Sequence, residues 1–200
     1  MNIKSIGILG ATALVAAVLA TPTYASTDVF SAHLLGDNEV PPINSTGSAT
    51  FHMENTDGVI TFSLTFSGLS SNLTVSHLHF APTRVAGGVM IFLCGGGNQP
   101  NCPAATSGTI TGTIVAANVT GPATQGIDPG DLTSALEAVD DGASYANIHT
   151  TKFPGGEIRG QVRRGNKHTD KGNGNQGDVH GHKEGLSRSR RSGRLLDFFT

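Results

Sequence analysis

The residues best placed to do chemistry are three histidines at strand-like spacing. Ser76-His77-Leu78-His79-Phe80 sets two imidazoles at i and i+2. On an extended chain such residues share a face, roughly 6.5–7 Å apart along the strand. His77 and His79 can then approach one ion from one side, while Leu78 and Phe80 turn toward a core. Tyr145-Ala146-Asn147-Ile148-His149-Thr150 repeats the pattern: Asn147 and His149 share one face, Ala146 and Ile148 the other. If the two strands lie side by side, His149 completes a three-histidine set. Imidazoles with oxygen donors nearby suit zinc or copper(II). The competing reading is a polar strand face of hydrogen-bonded histidines, and a His-x-His pair alone does not separate the two.

A third segment, Glu157-Ile158-Arg159-Gly160-Gln161-Val162, places Glu157, Arg159 and Gln161 opposite Ile158 and Val162. With Asn147, these residues form either a structural polar network, Arg159 forking onto a carboxylate, or the lining of a binding cleft. The chain has no Gly-x-Ser-x-Gly turn, phosphate loop or His-Glu-x-x-His motif. A protein without enzymatic activity is therefore expected. A hydrolase stays open, because triads are recognised by geometry.

The elements that must position these groups read as β. Ile60, Phe62, Leu64 and Phe66 alternate with Thr61, Ser63 and Thr65, the period of a half-buried strand. Ala49 to Met53 precedes it across Asn55-Thr56-Asp57-Gly58, and Asp-Gly supplies the positive φ of a hairpin turn. Further strands are expected at Val29–Leu35, Thr74–Phe80, Val89–Leu93, Gly108–Ala116, Ser144–His149 and Gly156–Val162. One short helix is expected after Asp128-Pro129, with Asp128 as cap, Leu132, Leu136 and Val139 at helical spacing, and Gly142 as stop. The fold class is all-β: an antiparallel sandwich or Greek-key barrel with one short helix. With 14% charged residues and 27 Gly in 200, a coiled coil is excluded.

The ends are different material. Lys4, an apolar run from Ile6 to Ala20, and Thr23-Tyr24-Ala25 make residues 1–25 a secretory signal peptide cut after Ala25. The apolar run is short for a membrane span, which needs about 20 residues. The formal net charge of −2 conceals an asymmetry. Asp28 to Val162 holds three Lys+Arg against eleven Asp+Glu; Arg163 to Thr200 holds nine against four. Residues 165–200, rich in Gly, Asn and Arg, are expected to form a disordered basic tail, leaving 26–164 as the folded domain. Cys94 and Cys102, the only cysteines, bracket the short loop Gly95–Asn101. In an exported chain they are expected to pair as a staple contributing about 2–3 kcal/mol.

Three blocks together carry a resemblance. They are Phe30-Ser31-Ala32-His33-Leu34-Leu35-Gly36-Asp37-Asn38-Glu39-Val40-Pro41-Pro42, the His77-Leu78-His79 strand, and Tyr145–Thr150 with Gly155–Gln161. In this order, over about Asp28 to Arg164, they resemble the chordin (CHRD) domain. The resemblance implies a stand-alone extracellular β module of microbial type, binding an extracellular ligand or protein, without nucleic acid and without a transmembrane segment in the mature chain. Relatives often carry a Gly soon after the second His; here Phe80-Ala81-Pro82 delays it to Gly87-Gly88. Three readings follow: a secreted or envelope binding module without enzymatic activity, a three-His zinc or copper protein in the redox manner of copper/zinc superoxide dismutase, and a structural surface protein.

Overall fold

The computed structural model describes residues 26–165. Nine strands form one antiparallel sheet: β1 Thr27–Leu35, β2 Ser48–Thr56, β3 Val59–Ser67, β4 Leu73–Phe80, β5 Gly88–Cys94, β6 Gly108–Ile114, β7 Ser144–Thr150, β8 Ile158–Gln161 and β9 Arg163–Arg164. The order is β5-β4-β7-β8-β1-β2-β3-β6, with β9 beside β1. Edge strands β5 and β6 lie against one another, so the sheet curls into a nearly closed barrel. Among the described residues the fold is all-β with one α-helix, and of the two expected architectures it is the barrel, built from a single sheet.

The alternation read in the sequence is the reason for the curl. Ile60, Phe62, Leu64 and Phe66 of β3 are all buried, as are Phe51 and Met53 of β2 opposite them. Leu34, Leu78, Ile91, Leu93, Ala146, Ile148 and Ile158 join the same core. The β2–β3 turn has Asp57 at φ +50° and Gly58 at φ +86°, the left-handed pair a two-residue hairpin demands. Where β5 leaves the sheet, the expected disulfide is present, with the Cα atoms of Cys94 and Cys102 5.0 Å apart. The loop it holds reaches β6 and the turn after it: Gln99 donates to Thr113 O and Asn118 to Gly97 O.

The helix α1, Leu132–Asp140, begins later than expected. Its cap is Asp131, whose carboxylate accepts from Ser134 N–H, and not Asp128. Residues 128–131 are instead a turn, closed by Asp131 N–H donating to Asp128 O. A side-chain oxygen directly before the first helical residue outcompetes one three residues earlier, because it reaches the free N–H groups of the first turn.

β8 sits hard against β1. A Cβ on Gly160 would lie 2.3 Å from His33 O and 2.7 Å from its carbonyl carbon. Both neighbours are backbone, so the methyl has nowhere to go. Gly160→Ala is expected to cost about 1–3 kcal/mol, read as a lower urea midpoint at unchanged slope. An unchanged midpoint would show that β8 can move freely off β1.

The segment expected to be a signal peptide, 1–25, lies outside the described residues, as does the expected tail beyond Gly165. Gly165 itself is still tied to the sheet, donating to Val29 O at 2.7 Å. Among the described residues no helix is long and apolar enough to cross a membrane.

Candidate metal centre

β4 and β7 are neighbours, which is the condition the three-histidine reading required. His77 pairs with Asn147 and His79 with Tyr145, while His149 pairs with Val75, diagonal to His77. Equal parity then puts His77, His79, Tyr145, Asn147 and His149 on the face away from the apolar core. Against β5, β4 shifts register between Ser76 and His77 and again between Leu78 and His79. Such irregularities re-aim the side chains beside them.

The histidine rings converge. His77 lies 4.5 Å from His79 and 4.6 Å from His149, centroid to centroid, and His79 and His149 are 6.3 Å apart. One nitrogen from each falls within 4.8 Å of the other two. All three residues are at most 8% exposed, so this outer face is roofed. The Phe92 ring of β5 closes edge-on over His77 at 5.2 Å. Tyr145 stacks on His79 at 4.6 Å and 4°, and the Arg159 guanidinium lies 4.4 Å above Tyr145.

Two of the rings are fixed by backbone carbonyls. His79 Nδ1 donates to Gly87 O and His149 Nδ1 to Pro154 O, each at 2.9 Å. A carbonyl can only accept, so each ring carries its proton on Nδ1 and leaves the Nε2 lone pair bare. Those atoms, His79 Nε2 and His149 Nε2, together with His77 Nδ1, are buried without a hydrogen-bond partner among the described residues. Burial is the main force against charging the rings. It lowers His77 to about 2, with the neighbouring His79 and His149 adding to the effect, lowers His79 to about 4, and pushes His149 down as well. At neutral pH the cluster is therefore three neutral imidazoles.

The departure noted after His79 has a structural purpose. Residues 81–86 loop out and return Gly87 to the strand it left. A Cβ on Gly87 would lie 1.9 Å from Phe80 O, so only glycine lets its carbonyl come back to His79.

The remaining expected site residues divide. Arg159 Nε donates to Glu39 Oε2 at 2.7 Å, and Asn147 Nδ2 donates to Glu39 Oε1 at 2.9 Å. Arg159 Nη1 also reaches Val85 O. Gln161 binds backbone, donating to Ala81 O and Gly142 O. Glu157 does not join them, contrary to the shared face expected for Glu157, Arg159 and Gln161. Its carboxylate accepts from Ser45 Oγ, Ser70 N, Ser70 Oγ and Thr150 Oγ1 at 2.6–2.9 Å. β8 starts only at Ile158, and the turn before it frees Glu157 from strand parity. Burial acts to raise its carboxyl, but those bonds, led by Ser45 and Thr150, outweigh it and hold Glu157 below the usual carboxylate range.

Two participants escaped the sequence reading. Glu39 arrives from the loop after β1, and Tyr145 lends its ring to His79. Glu39 was marked only by being an acid inside an otherwise apolar and small-residue block, Asn38-Glu39-Val40-Pro41-Pro42.

Neither a curated protein nor a solved structure matches the chain. A family model, the CHRD domain, matches residues 30–162. That span contains every strand from the body of β1 through β8, the Gly36–Pro42 loop with Glu39, and all three histidines. The chain belongs to the CHRD domain family.

Proposed function

We propose that this CHRD domain is an exported binding module whose ligand is a divalent transition-metal ion, zinc or copper(II), held by His77, His79 and His149. One observation carries the reading: three buried, neutral imidazoles bring one nitrogen each within 4.8 Å of one another, and each ring has a buried nitrogen without a hydrogen-bond partner. A buried polar atom left unsatisfied costs about 1–3 kcal/mol, so a face that was merely hydrogen-bonded would not orphan three together. The Nδ1–H bonds to Gly87 and Pro154 are the outer contacts that orient metal-binding histidines. Two nitrogens at about 2.1 Å from one ion are at most about 4.2 Å apart. The 4.8 Å set must therefore contract slightly on binding. Three protein nitrogens are one short of a closed tetrahedral set, which leaves room for one further donor.

The setting fits export. The two cysteines are joined, as expected in an oxidising compartment, and residues 1–25 have the pattern of a cleaved signal with 26–164 as the domain released.

Calorimetric titration with zinc and with copper(II) tests the proposal. It uses full mature chain in which His168, His180 and His182 are replaced by asparagine, so that tail histidines do not compete. One ion per chain is expected. The His77→Ala, His149→Ala double variant should lose it. Binding no tighter than about 0.1 mM, near −5.5 kcal/mol, or equal binding by the double variant, would leave these residues as ordinary strand histidines.

A further inference from the structure

A second site lies across the Glu39–Arg159 pair, and it does not depend on the metal reading. We infer that the cavity of about 620 Å³ on that side binds a small polyhydroxylated anion, a sugar acid or a sugar phosphate. Its size is within the range of small-molecule sites, roughly 300–1,000 Å³. Its charge is unlike the rest of the body. Residues 26–165 hold only five Lys and Arg against eleven Asp and Glu, yet Arg84, Arg159 and Arg163 all line this one cavity.

Two of these three cations are uncommitted to any carboxylate. Arg159 is neutralised by Glu39. Arg163 spends Nη1 on Gly142 O and Nη2 on Thr83 Oγ1, both uncharged acceptors. Arg84 makes no hydrogen bond or ion pair among the described residues. Its backbone is also held at φ +66°. It occupies the third position of the turn closed by Val85 N–H donating to Pro82 O, where a positive φ favours Gly or Asn. Backbone strain of this kind is kept where it serves a site. Here it holds a bare guanidinium at the rim of a cavity.

A guanidinium recognises carboxylate or phosphate oxygens through paired N–H groups. The Asp37 carboxylate and the Thr83 hydroxyl line the same cavity and suit the hydroxyl groups of a sugar ring. An oxyanion at Arg84 and Arg163 beside hydroxyls at Asp37 and Thr83 is the chemistry shared by a uronate and a sugar phosphate.

Calorimetry on the full mature chain, with glucuronate, glucose 6-phosphate, glucose, acetate and inorganic phosphate as separate probes, tests this. At least one anionic sugar should bind one per chain, tenfold or more tighter than glucose and than the bare anions. Which of the two it is separates carboxylate from phosphate recognition. Arg84→Gly should weaken that binding at least tenfold while the melting temperature holds or rises, because glycine is at ease at this φ. The inference is overturned if neither anionic sugar exceeds glucose, if acetate or phosphate alone binds as tightly, or if Arg84→Gly leaves the affinity unchanged.

Discussion

Replacing Glu39 by alanine is expected to destabilise the domain by about 3–5 kcal/mol, the cost of stripping a buried cation of its partner. Glu39 and Arg159 side chains are 3% and 7% exposed and meet at 2.7 Å. Without the carboxylate, Arg159 stays buried with Val85 O as its remaining hydrogen-bond acceptor, and Asn147 Nδ2 loses its acceptor. The pair as a whole is worth far less than the cost of breaking it, since desolvation consumes most of the attraction. A Glu39→Leu, Arg159→Met double variant should therefore recover much of the loss. Chemical denaturation of the two variants and of each single change gives the coupling directly. If Glu39→Ala lies within about 1 kcal/mol of the parent, well short of the usual penalty for an unpaired buried charge, the loop after β1 is not what holds Arg159.

Zinc at about 100 times its dissociation constant should stabilise the fold by about 2.7 kcal/mol. For a domain of this length that raises the melting temperature by roughly 10 °C. His77→Ala should abolish the rise. The pH dependence follows from burial. An exposed three-histidine site loses its metal as pH falls through about 6.5, which is what the sequence alone would suggest. Here burial lowers all three, His77 to about 2 and His79 to about 4, so protons compete at lower pH than at an exposed site. Most of the zinc-induced rise should persist at pH 5.5. The metal-free fold behaves differently. Its three clustered histidines resist protons that the unfolded chain accepts below about 6.5, so stability falls as pH drops through that value. Glu157, held below its usual range, adds a further loss at lower pH. Scanning calorimetry with and without zinc at pH 7.5 and 5.5 separates the two effects. A zinc-induced rise that halves between those pH values would refute the buried, neutral cluster.

The strands were legible because their signal is local. Ile60, Phe62, Leu64 and Phe66 against Thr61, Ser63 and Thr65 announce both the strand and its inner face, and each is where that pattern puts it. The parity of His77 with His79, and of Asn147 with His149, follows from the same two-residue period. The helix was legible as an element and misplaced at its start, because Asp128 and Asp131 both look like caps and only the turn between them decides. Pairing was not legible. β4 and β7 are separated by two strands and a helix, and nothing near His77 specifies that Asn147 will lie opposite it. That choice belongs to the core, which closes only when Leu78, Ile91, Ala146 and Ile148 are buried together.

The loop partners of this polar face were equally hidden. Glu39, Gly87 and Pro154 come from three loops whose positions depend on the strands they join. Glu157 shows the limit from the other side: its alternation with Arg159 was real in the sequence, but a turn carried its carboxylate to Ser45, Ser70 and Thr150. The sequence by itself determined which residues alternate, which cysteines pair and which residue types could ligate. Only the tertiary structure decided which strands are neighbours and which polar groups are buried, because both depend on contacts between residues far apart along the chain.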